Sequence, residues 1–235
     1  KESADLILLQ KNLLVLRDGV LEGRRVFGNI FKYIKMGASS NFGNMFSMTG
    51  SGFFLPYVLK CNFYPMHPIQ IILNNFLYDI SQVAIPTDDV DEDYLLKSRA
   101  WNIDYIKKFM FVFGPLSSVF DYLTWMVMVW VFHADQYLFA TAWFIESMCT
   151  QLLVIHIIRT GKIPFVESWP SPFLIFTSIY IASAAIVIPY TPLGAYFKFV
   201  MPPASFFLFL LAILALYLWM VQVTKAWFIK KYGYE

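Results

Sequence analysis

Three carboxylates stand near the middle of long apolar stretches: Asp79, Asp121 and Glu146. A charge at the centre of a bilayer costs about 2.5–3.5 kcal/mol even on a lenient insertion scale, so such groups mark function or a specific interhelical bond. Amides accompany two of them. Asn75, Tyr78, Asp79 and Gln82 fall at i, i+3, i+4 and i+7, which lines one helix face with polar groups, and Asn74 flanks that face. Asn41 and Asn44 are three apart and share a face with Ser40 and Ser47 adjoining. Together Asn41, Asn44, Asn75, Asp79 and Glu146 offer oxygen ligands and at most two negative charges. That donor set suits a hard cation such as Mg2+ or Ca2+. The same carboxylates are also suited to a proton relay. Asp121 reads as structural, because its helical neighbours Ser117, Ser118 and Thr124 can satisfy it locally. Cys149 and His156 are seven apart and Cys61 lies near the opposite surface, which is no transition-metal spacing. No Walker, GxSxG, HExxH or CxxC motif occurs.

The elements that must hold these groups follow from composition. Of 235 residues, 58% are hydrophobic and 14% charged, against about 45–50% and 25% in a soluble domain. This excludes an ordinary soluble globule and excludes disorder. The net charge of +2 gives no reason to expect a nucleic-acid partner. A bilayer span needs roughly 20 apolar residues. Segments at about 36–59, 68–86, 109–132, 137–158, 172–189 and 203–223 qualify, which predicts an all-α membrane protein with six transmembrane helices. Every Lys and Arg except Lys60 and Lys198 then falls on one side, so both ends face the cytoplasm. Gly37, Gly43, Gly50 and Gly52 in the first span are small enough to let a neighbouring helix approach.

The first 35 residues differ. Ala4 to Leu9 is a short apolar run that reads as a cytoplasmic strand. Leu13, Leu16, Val20, Ile30 and Ile34 then recur at helical spacing among charged residues, predicting a stalk helix that runs into the first span. The chain opens without Met and without the shape of a signal peptide, and reads as a piece of a longer polypeptide. Asp88, Asp89, Asp91, Glu92 and Asp93 lack the glycine and spacing of a calcium loop and read as a solvated loop face. His67, His133 and His156 stand near span ends, where packing is the expectation.

These strings, in this order, resemble the C-terminal part of a P-type cation-transporting ATPase. Lys1 to Leu9 resembles the end of a phosphorylation domain, and Val20 to Arg25 the stalk that follows. Ala38-Ser39-Ser40-Asn41-Phe42-Gly43-Asn44 and Asn74-Asn75-Phe76-Leu77-Tyr78-Asp79 resemble the family's fifth and sixth membrane helices, and Phe144 to Cys149 its eighth. Asn44 stands where calcium pumps of the family usually carry glutamate. That amide, with the run Leu77 to Pro86, is most similar to the bacterial magnesium-transporting ATPases.

The resemblance implies residues 1–35 as the end of the phosphorylation domain and the stalk, and 36–235 as the membrane domain. It implies a transport site lined by Asn41, Asn44, Asn75 and Asp79 with Glu146 adjacent, and Mg2+ both as transported ion and as counter-ion of ATP. ATP itself is held by parts outside this chain, which has no phosphorylation or nucleotide signature. The implied surroundings are a bacterial plasma membrane, the upstream cytoplasmic domains and the preceding membrane helices of the same pump. A P-type calcium or proton pump, a six-span secondary transporter without ATP coupling, and a structural membrane subunit are the alternatives.

Overall fold

In the computed structural model, which describes Ile7 and residues 12–234, all regular elements among the described residues are helical. The expected strand at Ala4 to Leu9 lies outside the described residues except for Ile7. Helix α1 runs unbroken from Leu13 to Phe53, with the Asn12 side chain accepting from the Leu14 amide as its N-cap. It then widens into a π turn over Phe54–Val58, where Pro56 has no N–H to continue the α pattern. α2 spans Pro68–Gln82 and starts with a capping box between His67 and Gln70. A 3-10 turn at Ile85–Thr87 and the short α3 (Glu92–Leu95) follow. α4 is Ile103–Trp130 with Pro115 inside it, and α5 is Gln136–Ile158. α6 is Pro172–Val187, α7 is Pro192–Tyr196 and α8 is Ala204–Tyr232.

Among the described residues, four segments are long and apolar enough to cross a bilayer: Ile103–Trp130, Gln136–Ile158, Pro172–Tyr190 and Ala204–Tyr232. The other two expected spans fall short for physical reasons. α2 has only 15 residues, and the second half of α1 is rich in Asn, Ser, Thr and Gly. These are the two helices that carry the candidate amides.

α5 is the hub. Its apolar window is 89% buried, against 28% for α8, which turns Leu208, Leu211 and Trp219 outward. α4 lies against α1 so closely that a Cβ at Gly43 would stand 3.1 Å from the Gly114 carbonyl oxygen. Ser118 Oγ donates to the Gly43 carbonyl across the same seam, 3.0 Å.

The acidic loop after α2 corrects the expectation of a solvated face. Asp89, Glu92 and Asp93 are exposed, but Asp88 and Asp91 are buried. Asp88 pairs with Lys32 of α1 at 2.8 Å and with Arg159 at the end of α5 at 2.9 Å, and its Oδ1 also accepts from the Ser171 amide. Asn29 donates to the Asp88 carbonyl, and Arg159 donates further to Ser168 and to the Trp169 carbonyl. Asp91 accepts from Thr160 Oγ1 and the Gly161 amide. Burial holds the Lys32 ammonium below its usual range despite the pull of Asp88. The sequence shows the acids as a run and hides their partners, which stand 56 and 71 positions away.

Candidate cation site

The membrane half of α1 offers Asn41, Asn44, Met45 and Met48 to a hollow completed by Asn74 and Asn75 of α2 and Ser147 of α5. Its volume is about 340 Å³. At about 30 Å³ per water, this space takes a cation with its whole first hydration shell. Asn41 and Asn75 are exposed, Asn44 is half-buried and Asn74 is buried. Gln151, one turn beyond Ser147 on α5, ties the wall together. Its Nε2 donates to Ser147 Oγ at 2.7 Å, Asn74 Oδ1 at 3.2 Å and, more weakly, Asn44 Oδ1 at 3.4 Å. Asn74 Nδ2 keeps no partner. The polar part of the wall is neutral, four asparagines and Ser147 beside Met45, Met48, Met66, Ile71 and Trp143, so it can hydrogen-bond the outer water of a hydrated ion without a charge to trap it.

Of the five residues singled out from the sequence, the structure brings Asn41, Asn44 and Asn75 to this hollow and places two elsewhere. Asp79 is one turn further along α2 and exposed. It borders a separate hollow of about 390 Å³ between Asn29, Ile30 and Tyr33 of α1 and Gln82 and Pro86 beyond it. Glu146 immediately precedes Ser147. A step of about 100° around the helix turns it away from the amides. It is fully buried, beside Asp121 of α4, and neither of its oxygens has a well-oriented donor.

Asp121 is held from other helices, not by its own. Ser47 Oγ of α1 donates to one carboxyl oxygen and Trp143 Nε1 of α5 to the other, at 2.5 and 2.7 Å. The hydroxyls expected to serve it are engaged otherwise or idle. Ser117 donates to the Gly114 carbonyl, Ser118 to Gly43, and Thr124 Oγ1 has no partner. Gln151, Ser147 and Trp143 were not singled out in the sequence. Gln151 carried the same signal as Asn44, an amide inside an apolar helix. Nothing in the sequence distinguishes Trp143 from the other six tryptophans.

The family described as "Cation transporting ATPase, C-terminus" matches residues 63–227. "Magnesium-transporting ATPase, P-type 1" of Escherichia coli K12 is 44% identical over 239 residues, covering 100% of this chain and 26% of that protein. The protein of the same name from Salmonella typhimurium LT2 is 44% identical over 242 residues, again covering 100% of this chain and 26% of its own length. The chain thus spans about a quarter of the length of the curated relatives it matches. It belongs to the cation-transporting ATPase family and corresponds to its C-terminal membrane part.

Proposed function

We propose that this chain is the membrane-embedded, ion-handling part of an ATP-driven magnesium transporter, and that the amide hollow receives Mg2+ with most of its water. The observation that carries the reading is the convergence of Asn41, Asn44 and Asn75 from two helices on one hollow, in a chain 44% identical to proteins named for magnesium transport. Mg2+ gives up water reluctantly and is seldom held in an all-protein cage. A roomy, neutral, amide-lined wall binds such an ion through its shell and lets it go.

In this reading six helices cross the bilayer. α1 and α2 are tolerated there because their polar faces look toward other parts of the protein. Asn41, Asn75 and Asp79 are exposed in this chain, and the preceding membrane helices of the full pump would cover them. Both ends face the cytoplasm of a bacterial plasma membrane. Asp79, about 6 Å along the helix from Asn75, supplies the carboxylate at the stalk-side hollow, and Glu146 acts from behind the wall. ATP with its own Mg2+ phosphorylates an upstream cytoplasmic domain. The 41-residue α1 would carry that movement to Asn41 and Asn44.

The experiment is Mg2+ uptake and Mg2+-stimulated ATP hydrolysis by the intact pump carrying Asn75→Ala or Asp79→Asn. The expected result is a rise of roughly tenfold or more in the Mg2+ concentration for half-activation. Wild-type Mg2+ dependence in both variants would make the assignment wrong.

A further inference from the structure

Beyond α8 the backbone breaks sharply. Gly233 takes φ +85° and ψ 177°, a shape that suits glycine alone, and a Cβ there would meet nothing within 4 Å. The break sets Tyr234 onto the loops at that end of the bundle. Two carbonyls of this short tail are held: Tyr105 Oη donates to that of Gly233 at 3.2 Å, and Arg99 Nη1 to that of Tyr234 at 2.7 Å. The Tyr234 ring lies over Gly161, where an added Cβ would stand 3.2 Å from its carbons. It meets Tyr94 edge-on, with centroids 6.2 Å apart at 71°. Its hydroxyl faces Asp91. Burial, and then that carboxylate, hold the phenol well above its usual range, so it stays a neutral donor.

The ring's remaining neighbour is α1. Lys35 is buried, and its ammonium stands 5.0 Å from the ring centroid of Phe31, 5.6 Å from Tyr105, 5.7 Å from Phe109 and 5.5 Å from Tyr234. A cation is drawn to each such ring, most strongly where water is excluded. Phe31 belongs to α1 itself, Tyr105 and Phe109 to α4, and Tyr234 alone of the four reaches in from beyond α8. One turn earlier on α1, Lys32 enters the Asp88 network. About 9 Å of helix after Lys35, α1 offers Asn41 and then Asn44 to the hollow. The helix is therefore gripped twice, by the loop through Lys32 and by the tail through Lys35, just before it presents its amides.

We infer that Tyr234 is a positioning residue for the cation hollow: its ring clamps Lys35, fixes the turn of α1 about its own axis, and so aims Asn41 and Asn44. This rests on the reading that the amide hollow receives Mg2+. Tyr234 is not among the walls of the hollow and acts through Lys35. Amides that are already aimed need no ordering when the ion arrives, so loss of the clamp weakens Mg2+ binding while every side chain of the hollow is kept.

The test is ATP hydrolysis by the intact pump across a range of free Mg2+ at constant Mg-ATP, with thermal unfolding followed alongside. Tyr234→Leu keeps bulk and loses the ring. It is expected to raise the Mg2+ concentration for half-activation roughly threefold to tenfold while changing the maximal rate less. Tyr234→Phe keeps the ring over Lys35 and should restore most of the shift. Lys35→Met should reproduce it, and the double variant should add nothing further, because both remove one interaction. Gly233→Ala misdirects the tail without touching either side chain and serves where Tyr234→Leu does not fold. A merely structural tyrosine would lower the unfolding temperature and leave half-activation where it was; that result in a folded variant, no rescue by Tyr234→Phe, or additive shifts in the double variant overturns the inference. Asn75→Ala measured in parallel separates the two failures. If it moves half-activation and Tyr234→Leu does not, the clamp is wrong and the hollow stands; if neither moves it, the hollow is wrong and the clamp falls with it.

Discussion

Two buried polar clusters sit at different depths of the same bundle and are finished differently. At the end of α2, Asp88 is met from every side by Lys32, Arg159 and the Ser171 amide, while Asn29 takes its carbonyl. In mid-bundle, Asn74 Nδ2 and Gln151 Oε1 have no partner, the Glu146 carboxyl stands beside Asp121 without a well-oriented donor, and Asn41 and Asn75 stand open. Around Asp88 only Asn29 Oδ1 lacks a partner and every buried charge is paired; such a network is a strut, because any change leaves a charge stranded. An incompletely satisfied one has bonds left to make with something else. Under the proposed function, this difference separates structural from ion-handling polarity more sharply than residue type does, since both clusters contain amides and acids.

That contrast sets opposite expectations for mutations. The largest effect on stability is expected from Asp88→Ala, which strands two buried cations. A loss of about 3–5 kcal/mol should appear in thermal or denaturant unfolding of the intact protein, with Mg2+ affinity of the surviving folded fraction near wild type. Unchanged stability would remove the strut from the comparison. Gly43→Ala comes next. Its Cβ would stand 2.5 Å from Ser117 Oγ and 3.1 Å from the Gly114 carbonyl, so α1 and α4 must part at a cost of about 1–3 kcal/mol. Gly52→Ala in the same helix meets open space and is the control, expected to leave unfolding unchanged.

In the second cluster the order reverses. Gln151→Ala removes the amide that ties Asn44, Asn74 and Ser147. An interhelical hydrogen bond averages about 0.6 kcal/mol, so unfolding should shift little while half-activation by Mg2+ moves severalfold. Asn41→Ala should have the smallest effect on stability, under about 0.5 kcal/mol for an exposed side chain, and still weaken Mg2+ activation. A stability loss at Asn41 larger than its effect on Mg2+ would erase the distinction between the clusters.

Much of this was legible in the sequence, because helix periodicity and long apolar runs are local signals. The expected 137–158 and 203–223 became Gln136–Ile158 and Ala204–Tyr232. The amides of α1 and α2 stood out for a local reason too, as polar groups recurring at helical spacing on one face of each helix. What the sequence withheld is pairing across the bundle. Asp121 looked locally satisfied, but its partners Ser47 and Trp143 lie on two other helices. Asp88 looked solvated because Lys32 and Arg159 are remote in sequence. The rotation that sets Glu146 behind Ser147 depends on how α5 is turned within the bundle, and α5 is buried nearly all round, so its pattern offers no polar face from which to read it.

The central claim is that the amides of α1 and α2 receive the transported ion. Crystals of the intact pump grown with Mn2+ in place of Mg2+ test it most directly through anomalous scattering. The expected result is a peak in the hollow between Asn41, Asn44 and Asn75, at a distance that leaves water between metal and amide. Ordered Mn2+ bound in the membrane region away from all three asparagines would contradict the account.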